Sequence, residues 1–181
     1  MKRLLRPLAA LALLSCATVE PPLAATPTNE QSPAGLVEAG AHWQMLYEGG
    51  EWDELRRLYA DDAVLMTQGQ AKIEGADAIL AFLQRLSNMG AEVGFRFEPE
   101  EAVVEGDLGF VTAKYRMDIG FPDKEPSVVV GRSFLVYKWQ DDRWKLWRDI
   151  DNIAPDVTPE DFELQAISSK PRRRPSRPRR P

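Results

Sequence analysis

The chain has 181 residues, 44% of them hydrophobic and 28% charged, with a formal net charge of −5, enough length for one domain with a proper core. Cys16 is the only cysteine and His42 the only histidine. That excludes a disulfide framework and a cysteine metal site, and it argues against a zinc centre or a Ser-His-Asp device; no metal and no cofactor are expected.

Residues 1–15 read as an export signal. Lys2, Arg3 and Arg6 form a basic start, and Leu8 to Leu14 is an apolar run far below the ~20 residues of a membrane span. The ending Leu13-Leu14-Ser15-Cys16 resembles the bacterial lipobox. That resemblance implies that Cys16 becomes the lipidated first residue of an envelope protein anchored to a membrane. A cleaved signal with an incidental cysteine is the alternative. Residues 16–34 carry four prolines and no aromatic and read as an extended tether.

A domain is expected over residues 35–155. Leu36, Ala39, Trp43 and Tyr47 recur at helical spacing, stopped by Gly49-Gly50. His42, beside that stripe, reads as a surface residue. Trp52, Leu55, Leu58 and Tyr59 predict a second, short helix. Ala63 to Thr67 predicts a strand and Gln68-Gly69-Gln70 a turn. Gly75 opens a third helix with Ile79, Phe82, Leu83 and Leu86 as its stripe, ended by Gly90. Four strands are expected next, over 93–104, 108–120, 127–139 and 143–151, with Gly106-Asp107 and Gln140-Asp141-Asp142 as hairpin turns. Three helices followed by a meander of long strands predict an α+β fold, with helices on one face of an antiparallel sheet. Thr158-Pro159-Glu160-Asp161 is a sound start for a short helix within 156–169.

Residues 170–181 carry +7 and the signal +3, which leaves −15 for residues 17–169. The Arg/Pro-rich tail cannot fold alone. Its readings are an anionic lipid surface, at ~1 kcal/mol per basic residue, another surface polyanion, the acidic body of the chain itself, or plain solvation. No aromatic interleaves the arginines, so no nucleic-acid partner is expected.

Several phrases in order carry a resemblance. They are Gly50-Glu51-Trp52-Asp53, Leu58-Tyr59-Ala60-Asp61-Asp62-Ala63-Val64, Glu74-Gly75-Ala76-Asp77-Ala78-Ile79, Gly106-Asp107-Leu108-Gly109-Phe110, Gly131-Arg132-Ser133-Phe134, and Asp142-Arg143-Trp144-Lys145-Leu146. Over about residues 35–153 the chain resembles the SnoaL-like, ketosteroid-isomerase-like superfamily, also called nuclear-transport-factor-2-like. The resemblance implies a curved sheet closed by three helices into a cone, a pocket inside the cone, and a homodimer formed through the outer sheet face. It does not imply one activity, because this superfold hosts many.

The family's steroid isomerases use a carboxylate base, a tyrosine and a protonated acid. Their positions fall on Thr67, near Trp43 and near Phe134, none of which can play those parts. The limonene-epoxide-hydrolase-like branch uses an Asp-Arg-Asp set, and here Arg116-Met117-Asp118 and Trp147-Arg148-Asp149 stand on two strands. The resemblance therefore nominates Asp149, Arg116 and Asp118 as catalytic, with Thr67 at the position of an asparagine that holds water. The family's tyrosine there is replaced by Leu65. One carboxylate would deprotonate water while the other acid protonates the epoxide.

Periodicity points the other way. Val111, Ala113, Tyr115 and Met117 form the apolar face of that strand and Thr112, Lys114, Arg116 and Asp118 the polar one. Simple burial turns the first face inward and leaves Arg116 and Asp118 in water. Alternation places Asp149 and Asp151 on one face with Trp147, and Arg132 on one with Phe134, so an Arg132–Asp149 pair is expected in the pocket, where it binds a polar ligand or serves only as a structural bridge. Trp43, Leu65, Phe82, Arg132, Phe134, Trp147 and Asp151 are the candidate ligand contacts, and ordinary core packing is the alternative for Trp43 and Phe82. The expected function is binding of a small organic ligand or an envelope partner. The alternative is a cofactor-free hydrolase or isomerase.

Overall fold

A computed structural model describes residues 30–163. The signal, Cys16, the tether up to residue 29, residues 164–169 and the basic tail lie outside the described residues. Helix α1 (Pro33–Gly49) starts where Ser32 Oγ accepts from the Gly35 N–H at 3.1 Å, with Pro33 just inside the first turn. It stops at Gly50, whose φ of 69° is the left-handed cap that glycine adopts without strain. Residues 30–34, expected as tether, belong to the fold. The Trp144 indole N–H donates to the Glu30 carbonyl at 2.8 Å, and Gln31 reaches the turn at Gly106 and Asp107.

Helix α2 (Trp52–Arg57) is followed by β1 (Tyr59–Thr67), so Tyr59 opens a strand rather than closing a helix. Leu58 and Tyr59 are both buried, and burial alone does not tell a helix end from a strand start. A two-residue strand β2 (Ile73–Glu74) pairs with β1 before α3 (Ala76–Asn88). Then come β3 (Glu92–Glu105), β4 (Leu108–Phe121), β5 (Lys124–Gln140) and β6 (Arg143–Ile153). A single turn of 3-10 helix (Pro159–Phe162) follows, capped by Thr158.

The sheet order is β2-β1-β6-β5-β4-β3. The four long strands form the expected antiparallel meander, but β1 lies parallel to β6, so the sheet is mixed. The β5–β6 turn puts Asp141 and Asp142 both at positive φ, the two-residue geometry that matches strand twist. Bulges sit near Glu100, between β3 and β4, and at Trp147, between β5 and β6; such insertions bend a strand and raise its twist. The bent sheet wraps around α1 and α3, and the core lies between them. Leu36, Leu46, Leu55, Ile79, Leu80, Val111, Leu135 and Leu146 are buried there.

Gly131 on β5 allows a close approach. A Cβ at that position would stand 2.8 Å from the Tyr115 hydroxyl and 2.1 Å from the Asn152 carbonyl, so only glycine lets the tyrosine lie across the strand. A second, smaller cluster forms on the outer face, where Ala154, Val157 and Phe162 pack with Val130. The segment after β6 is thus folded back over the sheet.

Candidate functional site

The inner sheet face and the two longer helices enclose a partly open cavity of about 670 Å³, within the usual range for a small-molecule site. Its walls are mainly apolar and aromatic: Trp43 and Tyr47 from α1, Phe82, Leu83 and Leu86 from α3, Phe95 and Phe97 from β3, and Leu135 from β5. Trp43 is stacked on Tyr47 at 5.2 Å and meets Phe95 and Phe97 edge-on at 5.3 and 5.8 Å. The Trp43 indole N–H donates to the Tyr59 hydroxyl at 2.8 Å, which satisfies a polar pair inside the core.

Against this apolar wall stand two carboxyl groups, Asp149 and Asp151 of β6. Asp149 lies in register between Leu135 and Leu65. Burial among these neighbours pushes its carboxyl up to about 8, and the nearby charge of Asp151 adds to the shift. No hydrogen bond or ion pair holds Asp149 among the described residues, and its accessible surface opens into the cavity. Asp151 accepts from the Thr67 hydroxyl at 2.7 Å. Its carboxyl is also raised, first by burial, with the Thr67 bond opposing. Burial together with the charge of Asp151 and Asp149 pushes the Tyr115 hydroxyl up to about 12. Tyr59 and Tyr137 are raised too, by burial first and by Asp149 second. Near neutral pH the cavity thus holds a carboxylic acid able to give or take a proton, beside tyrosines that remain protonated.

The structure brings Asp149, Asp151, Thr67, Leu65, Trp43 and Phe82 together on the cavity wall. It does not bring Arg116 or Asp118 there. Val111, Ala113, Tyr115 and Met117 face the cavity, so the burial reading of β4 prevails over the hydrolase register. Arg116 grips Asp118 on the outer face through Nε and Nη2 at 2.8–3.0 Å and donates to the Pro159 carbonyl. The expected Arg132–Asp149 pair is absent as well. Arg132 faces outward and binds Asp156 and Glu100, while Lys114 reaches Asp161. These three cations fasten the segment after β6 onto the sheet. The Asp-Arg-Asp set is therefore not assembled.

Phe134 and Trp147 also lie outside the cavity. Phe134 packs on Phe110 at 5.4 Å on the exposed outer face. Trp147 is the extra residue of the β6 bulge: Val136 pairs with Arg148 and Tyr137 with Leu146. Simple alternation from Asp149 back to Trp147 therefore fails at that point. The Trp147 indole instead donates to Asp62 at 2.9 Å, with Lys138 and Arg148 each 3.9 Å from its ring. Tyr137, which lines the cavity, was missing from the sequence candidates. Its signal was present in the period-two series Gly131, Ser133, Leu135, Tyr137.

The sequence model of the SnoaL-like domain matches residues 40–147, more than half of the chain. The chain belongs to the SnoaL-like domain family. Solved structures agree on the fold. An NTF2-like protein with a cystatin-like fold from Novosphingobium aromaticivorans superposes with a TM-score of 0.61 at 16% identity, covering 76% of this chain and 88% of that one. A ketosteroid isomerase-like protein from Erwinia carotovora atroseptica gives 0.58 at 19% identity, covering 71% and 100%. A putative scytalone dehydratase from Novosphingobium aromaticivorans gives 0.58 at 14% identity, covering 67% and 83%. At these identities the likeness shows the fold alone. No curated protein sequence matches the chain. This SnoaL-like chain thus has the cone fold of the superfamily, with its acidic groups on β6.

Proposed function

We propose that the SnoaL-like domain binds a small organic molecule inside the cone, with its apolar body on the aromatic wall and its polar end on Asp149 and Asp151. The single observation that carries this reading is the roughly 670 Å³ apolar cavity with carboxyl groups on β6. Val129 lines the same cavity and is half-buried, so Val129→Trp fills space there, its indole N–H being the one polar group added. In the wild type, a panel of drug-sized apolar molecules is expected to give binders that shift methyl signals of cavity residues. Val129→Trp is expected to weaken those binders at least tenfold while the protein still melts cooperatively. Equal affinity in the variant would place binding elsewhere.

A second reading is favoured by one observation, the Asp149 carboxyl raised to about 8. A group poised near ambient pH suits general acid–base work, so a bound molecule with a labile C–H bond or leaving hydroxyl could be turned over without a cofactor. Turnover of any ligand found in the panel, lost in Asp149→Asn, distinguishes this reading from binding alone.

We also infer an exported, lipid-anchored protein, on the strength of the basic-apolar-Cys16 pattern. Cys16→Ser is expected to move the protein from the membrane fraction to the soluble one, and retention in membranes after that change sinks the idea. For the assembly we infer a homodimer on the outer sheet face, where Val103, Phe110, Phe134 and Ile150 gather. Phe134 is 40% and Ile150 39% exposed there, and such a patch commonly marks an interface. Phe134→Asp is expected to halve the mass measured by light scattering. A wild type that is already monomeric at micromolar concentration would refute it.

A further inference from the structure

Asp149 and Asp151 are two residues apart on the inner face of β6, about 7 Å of strand. Both line the same cavity, and neither forms an ion pair among the described residues. A carboxylate removed from water ordinarily carries a cation with it, and the cations of β4 and β5 stand on the outer face of the sheet, not in the cavity. Lys114, Arg116 and Arg132 hold the segment after β6, and Lys138 holds Asp62. Arg85 is the one cationic residue of the described wall, and its guanidinium lies over the Phe82 ring at 5.1 Å. The other groups facing Asp149 are Tyr59, Tyr115 and Tyr137, which supply no positive charge. Trp43, Tyr47, Phe95 and Phe97 line the same cavity, and aromatic faces attract cations.

We propose that the ligand is an organic ammonium ion: an amine carried on an apolar, preferably aromatic, skeleton, its nitrogen between Asp149 and Asp151 and its body against the aromatic wall. This rests on the cavity reading above and names the ligand class for it. The ammonium supplies the counter-charge that the protein lacks at this site. A carboxylate ligand seated on β6 would meet the like charge of Asp149 and Asp151, and Arg85 is the one cation of the described wall that could offset it. The surrounding chain is strongly acidic between residues 17 and 169, so its field raises the local concentration of cations. Binding below pH 8 also displaces the Asp149 proton, so affinity for an amine rises with pH and levels off once Asp149 is ionised.

The test uses the full chain and three probes with one skeleton: 2-(2-naphthyl)ethylamine, 2-(2-naphthyl)ethanol and 2-naphthylacetate. Titration calorimetry at pH 8.5 is expected to show the amine binding at least tenfold more tightly than the alcohol, with the acetate weakest. From pH 8 to pH 6 the amine is expected to lose about tenfold per pH unit while the alcohol hardly changes. In Asp149→Asn the amine's advantage over the alcohol is expected to shrink to a few-fold, with alcohol affinity retained; Asp151→Asn provides the same comparison in a second background. Equal binding of amine and alcohol to the wild type overturns the ammonium assignment and leaves the cavity reading standing. Binding by none of the three overturns both.

Discussion

Asp149→Asn is expected to make the protein more stable than the wild type at pH 8.5 and to flatten its stability between pH 5 and pH 8.5. The Asp149 carboxyl titrates at about 8 in the folded chain and near 3.9 when unfolded. Between those values the folded state holds a proton that the unfolded state has lost, so stability falls as pH rises. Fully expressed, the difference amounts to as much as ~5 kcal/mol, lost progressively from about pH 4 to pH 8. Asp151, raised mainly by burial, acts in the same direction. The carboxylates held low act elsewhere. Asp62 is held down first by the Trp147 indole, Asp156 by Arg132 and Asp161 by the Thr158 N–H. Their stabilisation is present above the usual carboxylate range and vanishes only as pH falls through their low values, below the window of Asp149. Urea unfolding of both proteins at pH 5, 7 and 8.5 measures the effect. Parallel profiles for wild type and variant would mean that Asp149 is already ionised and solvated in the fold.

Trp43→Ala is expected to cost about 3–5 kcal/mol, a large share of the ~5–15 kcal/mol that holds a domain of this size. The change removes the side chain that touches Tyr47, Phe95 and Phe97 and leaves the buried Tyr59 hydroxyl without its donor. Trp43→Phe separates the two contributions. It keeps an aromatic ring against α1 and β3 and removes only the indole N–H, so about 1–3 kcal/mol is expected from the unpaired hydroxyl. Urea midpoints of the two variants give the comparison. A loss below 1 kcal/mol for the alanine variant would show that the neighbouring rings close over the gap.

The sequence by itself determined most of the elements and part of the cavity wall, Trp43, Leu65, Phe82 and Asp151 among it. The 3.6-residue stripes of α1 and α3, the glycine stops and the two-residue turns are local signals, and each is visible without knowing what packs where. The inward face of β4 was also legible, because Val111, Ala113, Tyr115 and Met117 can be buried with little cost and Arg116 and Asp118 cannot. The tertiary structure alone decided which polar residues meet. Strand alternation is a local rule, and the bulge at Trp147 breaks it by adding a residue that only the pairing with β5 reveals. That one insertion sends Trp147 outward to Asp62 while Asp149 and Asp151 stay inside. Likewise, nothing local tells that residues 154–163 fold back over β4 and β5. Their carbonyl and carboxylates hold Arg116, Arg132 and Lys114 on the outer face of the sheet, on the side away from the two cavity aspartates.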